Sequence, residues 1–391
     1  MILDAQGPVH WSASVRDTIL QGFLGIEDGA PLKLECNHHP LIKKILRFLT
    51  GNYEPLSYVS DWKEALCSSP RLDVQVCNIS NRIALFRSLK NIAQFELIII
   101  LHHVANYSIC LDTLNKVAGK FNNRRGKLVV FVGNEYSRME QKIHFIQASK
   151  ADYVCSQLPI ESARWLYAEA KDSQVVEMAH ALNPRLYKEQ PNIQRTVDIG
   201  FIGTLYHLLI GDMERTNLVQ FFERNGPKYG LICDIRDRNV PQNEWMLFLN
   251  KCKTIVGAES GTYYLDRTGH AIEKAGEYYR DHKKDWSFDK VFNLCFRGLT
   301  DYVSGKCVSS RHFEPIGTKT CQILIEGYYN GILIPDEHFI SVKKDISNIE
   351  DAIERYKDED YRKKIIKNAY QYVMDNHTHK HRVEALIDAV E

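Results

Sequence analysis

At 391 residues the chain is longer than a single hydrophobic core usually supports, so we expect two domains. Its 50 basic and 49 acidic residues leave a formal net charge of +1, which excludes the broad positive field that attracts nucleic acids. The 44% hydrophobic and 25% charged residues are typical of a soluble globular protein.

The cysteine spacing and the lengths of the apolar runs further narrow the class of protein to which the chain can belong. The 10 cysteines form no Cys-x-x-Cys pair, which indicates buried thiols in a reducing cytosol rather than disulfides or a zinc site. Met1–Gly7 has neither a basic lead nor a sustained apolar core, so we expect no secretory signal. No apolar run approaches about 20 residues, the length that spans a membrane. We therefore expect a soluble, cytoplasmic protein without a bound metal.

The first part of the chain is the least informative, and we assign no role to Met1–Gly29. Cys36–Thr50 predicts a loop that leads into an amphipathic helix, with Lys43, Lys44 and Arg47 opposite its apolar face. Such a helix either covers a core with its charges in solvent or rests on an anionic membrane surface. Both interpretations stay open. The second would place the protein at the inner face of the plasma membrane through a peripheral contact.

From Leu72 onward, short apolar runs alternate with amphipathic segments. The predicted strands are Leu72–Cys77, Phe95–Leu101, Lys127–Gly133, Ala151–Cys155 and Gln174–Met178. The predicted helices between them are Asn81–Ile92, Leu111–Phe121, Lys142–Ser149 and Ile160–Ala170. Alternation at this spacing predicts an α/β domain with a doubly wound parallel sheet.

Polar residues follow three of these strands: the pair His102-His103, the pair Asn134-Glu135, and His180. Ligands of doubly wound sheets gather at the carboxyl ends of the strands, so these residues are candidates for a site. Glu135 is a base for an acceptor hydroxyl or a hydrogen-bond partner for that acceptor. The alternative is a residue next to a helix N-cap or a surface carboxylate. His180 is expected mainly to support the turn that leaves the first domain.

The alternation of apolar runs and amphipathic segments is interrupted at Asn183–Thr196. This stretch carries two prolines and mixed polar residues and predicts an interdomain linker. The alternation then resumes with a second set of elements. These are the predicted strands Val197–Gly203, Tyr229–Asp234 and Cys252–Gly257, the helix Asn243–Lys251, and a return to the sheet at Val291–Phe296.

Candidate ligand contacts of the second half again follow strands. Gly203 and Thr204 form the first turn, where a glycine lets the backbone approach a phosphate. Glu259 and Ser260 follow a later strand and suit the hydroxyls of a sugar. The segment 262–305 is an insertion rich in Tyr, Lys and Asp. It either forms a helical excursion over the cleft or supplies aromatic rings that stack on a base or sugar.

The stretch Cys307–Gly331 carries the most specific pattern. Ser309 and Ser310 are typical of a helix start, and Gln322–Ile325 predicts a buried parallel strand. A helix that begins here offers unpaired amides and a partial positive charge to a diphosphate. Strand, loop, helix and strand in this order are typical of a nucleotide site.

Two charged residues lie within that helix. Arg311 adds a guanidinium that can bind phosphate in a bidentate manner. Glu314 lies about 5–8 Å further along the axis, which is the span from a pyrophosphate to its ribose. The alternative is an ordinary ion pair between these two residues on the surface of the helix.

This stretch resembles the C-terminal signature of GT-B glycosyltransferases, which often carry two glutamates with seven residues between them. Glu314 matches the second glutamate, and Gly317–Thr320 matches the turn that follows it. Lys306 occupies the place of the first glutamate, so the pair is incomplete. The form Ser-x-Arg-x-Phe-Glu is similar to a divergent branch that keeps Arg and Glu without the first glutamate.

The resemblance implies two Rossmann-like domains that face each other across a cleft. Residues 1–190 would form the acceptor-side domain, residues 197–375 the donor domain, and 376–391 a helix that packs back toward the first domain. His103 would reach the transferred sugar, as a histidine after a comparable strand does in relatives. With Glu135 and Arg311 it completes the predicted catalytic set. The predicted donor-binding residues are Gly203, Thr204, Glu259, Ser260, Ser309, Ser310, Arg311, Glu314 and Thr320.

The resemblance further implies transfer of a sugar from a nucleotide-sugar donor to a saccharide or lipid-linked glycan, in the assembly of cell-surface polysaccharide, with neither metal nor cofactor. Two alternatives remain. One is a nucleotide-sugar epimerase or hydrolase on the same scaffold. The other is a binding module without activity, which the absence of the first glutamate leaves open.

Overall fold

The structure is a computed structural model, and it describes residues 1–5, 57–79, 81–106, 108–205, 210–282, 284–299 and 303–391. The helix predicted within Cys36–Thr50 lies outside the described residues. No described helix has the length and apolar character needed to cross a bilayer.

The first half contains a six-stranded sheet with the order β2-β1-β3-β4-β5-β6, and every pair of neighbouring strands is parallel. Its strands are β1 (Ile2–Asp4), β2 (Val76–Asn78), β3 (Leu97–Ile100), β4 (Lys127–Val132), β5 (Tyr153–Ser156) and β6 (Gln174–Glu177). The accompanying helices are α1 (Ser57–Ser68), α2 (Arg82–Lys90), α3 (His102–Asn106), α4 (Ser108–Val117), α5 (Met139–Ala148) and α6 (Ile160–Leu166). The parallel sheet predicted from the alternating pattern is confirmed.

The strand β1 lies between β2 and β3, although no sequence pattern predicted structure within Met1–Gly29. Ile2 and Leu3 are buried, and the Met1 amino group donates to the carbonyl of Leu97 at 2.7 Å. Three residues are too few to show a period of two, so no pattern predicts this strand. The strand is defined only by its pairing with β2 and β3, whose residues come much later in the chain.

The second half contains a five-stranded parallel sheet with the order β11-β10-β9-β7-β8. Its strands are β7 (Val197–Ile202), β8 (Cys233–Arg236), β9 (Cys252–Gly257), β10 (Cys321–Ile325) and β11 (Ile340–Val342). The accompanying helices are α7 (Glu214–Asn225), α8 (Gln242–Lys251), α9 (His270–Asp281), α10 (Phe288–Cys295), α11 (Ser310–Gly317), α12 (Ile349–Lys357), α13 (Glu359–Asn376) and α14 (His379–Val390). Both halves are therefore α/β, as predicted.

The apolar runs of the central strands are almost continuous because helices cover both faces of each sheet. Strand β10, for example, is buried along its whole length. Separate clusters of buried side chains lie on the two faces of the second sheet, one that includes Ile255 and Leu324 and one that includes Val256 and Ile323. These neighbouring residues alternate between faces, as the pleat of a strand requires.

The prediction that Val291–Phe296 returns to the sheet is wrong. These residues lie in and just after α10, and they pack against α9 in a small cluster of their own that includes Ala275 and Val291. The apolar residues of α10 recur at helical spacing, and the Ser287 side chain accepts from the Lys290 amide at the helix start. The insertion is therefore a helical excursion.

The C-terminal helix α14 packs against α1 of the first half. Val383, Leu386 and Ile387 share a buried cluster with Trp62 and Leu66. An isolated parallel bridge pairs Leu182 with Thr378 just before this helix begins. The last helix thereby ties the end of the chain to the first sheet.

Candidate functional site

The carboxyl ends of both sheets border a cavity of about 670 Å³. This volume lies in the range of small-molecule sites, about 300–1,000 Å³. From the first half it is lined by Gly133, Asn134, Glu135, Tyr136, Gln157, Leu158 and His180. From the second half its lining includes Gly203, Thr204, Arg215, Trp245, Ser260, Ser309, Ser310, Arg311 and His312. Seven of the predicted site residues therefore meet at one cavity: Glu135, Gly203, Thr204, Ser260, Ser309, Ser310 and Arg311.

The start of α11, residues Ser309–His312 and called the α11 tip below, forms part of the cavity wall. Ser309 is the N-cap residue, and its side chain and that of His312 form a reciprocal capping box. The Nδ1 atom of His312 accepts from the Ser309 amide at 2.9 Å. The proton therefore lies on Nε2, which donates to the carbonyl of Ala258 at 3.1 Å. His312 thus fixes the α11 tip to the end of β9.

Sequence reasoning missed His312 because the capping box normally has Glu or Gln at this position. Burial lowers the pKa of His312 to about 4, more than the bond to the Ala258 carbonyl raises it. The imidazole is neutral at physiological pH, which is the state that the hydrogen bond from the Ser309 amide requires.

We expect the His312→Gln variant to lose less stability than the wild type as the pH falls from 6.5 to 4. The folded wild type keeps the ring neutral until about pH 4, whereas the unfolded chain binds a proton near the ordinary pKa of 6.5. Proton uptake by the unfolded chain therefore lowers the free energy of unfolding through this window and has no effect above it. Gln suits the same capping position and does not titrate.

Urea unfolding of both proteins at several pH values measures this effect. The expected divergence between the two curves is about 2–3 kcal/mol at the acid end of the window. The other buried histidines titrate in both proteins, so their contribution cancels in the comparison. Parallel curves would show that His312 is not the neutral cap described above.

Arg311 lies on the α11 tip with its guanidinium carbon 4.1 Å from the centre of the Trp245 ring. Its Nη1 atom is buried and has no hydrogen-bond partner within the described part of the chain. A buried donor that stays unsatisfied costs free energy, and such groups mark places where a ligand completes the bonding. The Arg311 residue itself lines the cavity.

Glu314 does not line the cavity. Its carboxylate is buried and accepts from the indole Nε1 of Trp245 at 2.6 Å. Among the described ion pairs there is none between Glu314 and Arg311, so the alternative of a surface pair does not hold. Asp61, in the first half, is also buried, and burial raises its pKa to about 8. The charge of Glu314 raises this pKa further.

Glu135 lines the cavity from the first half. It is buried, so it is not the surface carboxylate that the sequence left open. Its Oε1 atom accepts from Ser156 Oγ at 2.6 Å and from Tyr167 at 2.8 Å, and its Oε2 atom accepts from the Gln157 amide at 3.0 Å. Burial raises its pKa, against the lowering effect of these hydrogen bonds.

The structure does not bring His103 to the cavity. Its Nε2 atom lies 2.5 Å from Asp4 Oδ1, and both side chains are buried. Burial alone would raise the pKa of Asp4, but the bond to His103 and the charge of Lys63 outweigh it and hold that pKa below its ordinary value. Among the described histidines of the first half, His180 lines the cavity, and burial lowers its pKa to about 3.

The remaining predicted donor residues separate into two groups. Gly203, Thr204 and Ser260 line the cavity. Glu259 and Thr320 do not. The Glu259 carboxylate is buried and accepts from the Tyr329 amide at 2.6 Å. Thr320 precedes β10 at the amino end of the sheet, where its hydroxyl donates to the Leu249 carbonyl at 2.8 Å.

Lys306 replaces the first glutamate of the resembling enzymes and forms a buried ion pair. Its ammonium lies 2.7 Å from Asp212 Oδ2, and the two side chains are only 3% and 10% exposed. The same ammonium lies 4.6 Å from the centre of the Tyr263 ring. The lysine that stands in the place of the first glutamate therefore has an oppositely charged partner and an aromatic neighbour in this fold.

The side chain of Asn330 connects the two halves of the molecule beside the cavity. Its amide nitrogen donates to the Gln157 carbonyl at 3.1 Å and to Glu177 at 2.8 Å, both in the first half. Its oxygen accepts from the Val308 amide at 2.8 Å, immediately before the α11 tip. One side chain thus links the first half to the segment that leads into α11.

No group of His, Cys, Asp and Glu side chains suited to a metal ion occurs among the residues that the structure describes. The histidines near Trp62 illustrate this, since they stack rather than converge. The rings of His102 and His180, for instance, lie 5.4 Å apart at an angle of 29°.

Residues 265–388 match the family described as "Glycosyl transferase-like". This range contains the whole stretch Cys307–Gly331, so the match bears out the resemblance to glycosyltransferases for this part of the chain, without testing the individual motif residues. It covers about a third of the chain. No curated protein matches the sequence.

Several solved structures are similar in shape at low identity. HepE from Anabaena in complex with UDP is 10% identical, covers 99% of this chain and 98% of its own, and has a TM-score of 0.47. Sucrose-phosphate synthase from Thermosynechococcus elongatus is 11% identical, with coverages of 83% and 81% and a TM-score of 0.46. A glycosyltransferase from Rickettsia africae is 12% identical, with coverages of 100% and 97% and a TM-score of 0.42.

Proposed function

We propose that this chain is a glycosyltransferase that moves a sugar from a nucleotide-sugar donor to a saccharide acceptor. The observation that carries the proposal is the α11 tip at the cavity wall, with the guanidinium of Arg311 beside it. This arrangement suits a diphosphate, because helix amides and a guanidinium both bind phosphate oxygens. The match of residues 265–388 to a glycosyltransferase family includes this part of the chain.

Breaking the bond between the anomeric carbon and the diphosphate leaves negative charge on the departing group. The α11 tip offers donors that are already in place: the backbone amides of Ser310 and Arg311, the serine hydroxyls and the guanidinium of Arg311. Donors fixed before the reaction stabilise developing charge without having to reorganise. Because they supply positive charge where the diphosphate departs, we propose that the transfer uses no metal and no cofactor.

The acceptor would bind on the side of the first half, where Glu135 and His180 line the cavity. The attacking hydroxyl must lose its proton, and Glu135 is our candidate base. A carboxylate oxygen has two lone pairs, and Oε2 accepts one bond, from the Gln157 amide, so one lone pair is left for an acceptor hydroxyl. Burial raises the pKa of Glu135, as a general base near neutral pH requires.

We expect one nucleotide-sugar family to raise the melting temperature more than the others in a thermal-shift screen of UDP, GDP, CMP and dTDP sugars. Ligands that bind the folded state stabilise it in proportion to RT ln(1 + [L]/Kd), about 2.7 kcal/mol at a hundred times Kd. The Arg311→Ala variant should lose most of this shift. If no sugar nucleotide shifts the melting temperature at millimolar concentration, the proposal is wrong.

Incubation with donor alone separates the proposal from its rivals. A transferase leaves the donor largely intact until an acceptor is added. A hydrolase or epimerase consumes or converts the donor without any acceptor. A binding module without activity would give the thermal shift but no turnover with any of a panel of oligosaccharides and lipid-linked glycans. The resemblance, rather than any side chain, favours the assembly of cell-surface polysaccharide at the inner face of the plasma membrane.

A further inference from the structure

A buried lysine is bonded to the turn that carries Glu135. Lys142 belongs to α5 and is only 2% exposed, although lysine is rarely buried to this extent. Its ammonium donates to the carbonyls of Gly133 and Asn134, at 2.9 Å each. Gly133, Asn134 and Glu135 are consecutive residues, and all three line the cavity. Lys142 does not line it, so any effect of Lys142 on a bound substrate must pass through these neighbours.

We propose that Lys142 is a positioning residue for the transfer reaction. Its two hydrogen bonds fix the turn that presents Glu135 to the cavity, and its positive charge favours the ionised form of that carboxylate. The inference rests on the proposed function, in which Glu135 takes the proton of the attacking hydroxyl. Lys142 acts through Glu135 and does not touch the substrate.

The turn at the end of β4 holds Glu135 through its backbone. β4 ends at Val132, and Asn134 then adopts a φ of 46°, in the left-handed region that asparagine tolerates better than most residues. The Asn134 carbonyl also accepts from the Ser137 amide at 3.1 Å, which closes the turn. Since this carbonyl belongs to the peptide that joins Asn134 to Glu135, the bond from Lys142 fixes the direction in which the Glu135 side chain leaves the backbone.

The charges around Glu135 support the second part of the proposal. The carboxylate interacts with Tyr167, Cys155 and Cys307, and burial together with the charge of Glu135 raises the pKa of each of these three groups. All three are therefore neutral at physiological pH. Lys142, in contrast, is a cation, and its charge lowers the pKa of Glu135. It offsets part of the cost of an ionised carboxylate in a buried position.

Lys142 carries its charge in the pH range where a base must be ionised. Burial lowers its pKa to about 7, an effect that the charge of Glu135 opposes and that of Arg138 assists. Arg138 is partly exposed and lies 4.0 Å from Asp112 of α4, so solvent and this carboxylate weaken its influence. The ammonium is therefore protonated on the acid side of neutrality, where Glu135 would otherwise take up a proton and lose its function as a base.

The first test compares Lys142→Met with the wild type in the steady-state kinetics of transfer. Met is unbranched like Lys and has neither charge nor N–H donors. We expect kcat to fall by about 10-fold to 100-fold, because a misplaced base reacts poorly. KM for the nucleotide sugar should stay within about twofold, because the proposed donor contacts lie on the α11 tip. Lys116→Met, which removes an exposed lysine of α4, is the matched control and should change neither value.

The pH profile separates the charge of Lys142 from its packing. The acid limb of kcat/KM reports the base of the free enzyme, and loss of a nearby positive charge raises the pKa of a carboxylate. The limb should therefore move to higher pH by about one unit in Lys142→Met. Lys142→Gln, which keeps N–H donors without charge, should move the limb equally and lose less of kcat. This variant also carries the test if Lys142→Met fails to fold.

A second background shows whether Lys142 acts through Glu135. When Glu135→Gln has already removed the base, Lys142→Met should lower the residual kcat by less than about twofold. General damage to the packing would instead lower kcat by a similar factor in both backgrounds. Equal losses in the two backgrounds would overturn the proposal, as would an acid limb that stays in place in both lysine variants.

Amide hydrogen exchange followed by mass spectrometry tests the turn without any turnover. We expect the peptide that contains residues 133–137 to exchange about tenfold faster in Lys142→Met than in the wild type, with peptides of β10 unchanged. If the wild type transfers no sugar, the proposed function and the catalytic part of this inference both fail, whereas exchange still decides whether Lys142 holds the turn. Equal exchange in the two proteins would overturn that role.

Discussion

Replacement of Arg311 by Ala should lower kcat/KM by about 100-fold to 1,000-fold while leaving the free energy of unfolding within about 1 kcal/mol of the wild type. The first figure is the usual cost of removing one fixed donor that stabilises transition-state charge. The second follows from the contacts of Arg311, which are a cation–π stack on Trp245 and a buried Nη1 atom without a partner in the described structure. Truncation therefore leaves no paired group unsatisfied.

Arg164→Ala is the matched control for this experiment. Arg164 lies on α6, its side chain is 62% exposed, and it forms an i,i+3 pair with Glu161. It should change neither turnover nor stability, since exposed pairs contribute about 0–1 kcal/mol. Equal losses of activity and melting temperature in Arg311→Ala would show that Arg311 supports the fold rather than the reaction.

The Lys306→Met variant should lower the free energy of unfolding by about 3–5 kcal/mol. Removing one member of a buried ion pair leaves the other charge unpaired in a medium of low polarity. Asp212 would be left in that state, and the charge of Lys306 also opposes the pKa rise that burial causes in Glu214 and Glu259. Chemical unfolding at neutral pH measures the loss.

Two further variants test whether burial of the ion pair determines the size of this loss. The double variant Lys306→Met/Asp212→Asn should recover part of the loss, because no buried Asp212 charge then remains. Lys363→Met removes a pair of the same length, 2.7 Å to Glu359, whose side chains are 66% and 64% exposed, and should cost less than about 1 kcal/mol. Similar losses in the two lysine variants would mean that burial does not determine the cost.

The sequence predicted the two parallel sheets because their strands are continuous apolar runs long enough to recognise. Cys252–Gly257, for example, is a strand with the predicted bounds. It could not predict β1, whose three residues become a strand only through neighbours such as Val76–Asn78. The prediction that Val291–Phe296 returns to the sheet was wrong for a related reason, since a short apolar run fits a buried strand and a helix equally well.

The site was predictable where it depends on local order along the chain. The serines of the α11 tip and Arg311 reach the cavity because a helix start follows directly from their sequence. Glu314 was not predictable, because its partner Trp245 lies 69 residues earlier in the chain. A glutamate one turn after an arginine gives no sign of which way it points until a distant helix packs against it.

Asn330 has a mechanical consequence. Its amide joins Gln157 and Glu177 on one side to the Val308 backbone on the other, so the two halves cannot shift at this point without breaking hydrogen bonds made by one planar group. Asn330 and Val308 both belong to the second half, so a displacement of the first half would break the bonds to Gln157 and Glu177 and leave the bond from the Val308 amide in place. The backbone that leads into α11 would therefore keep its anchor on Asn330 when the contact between the halves is lost.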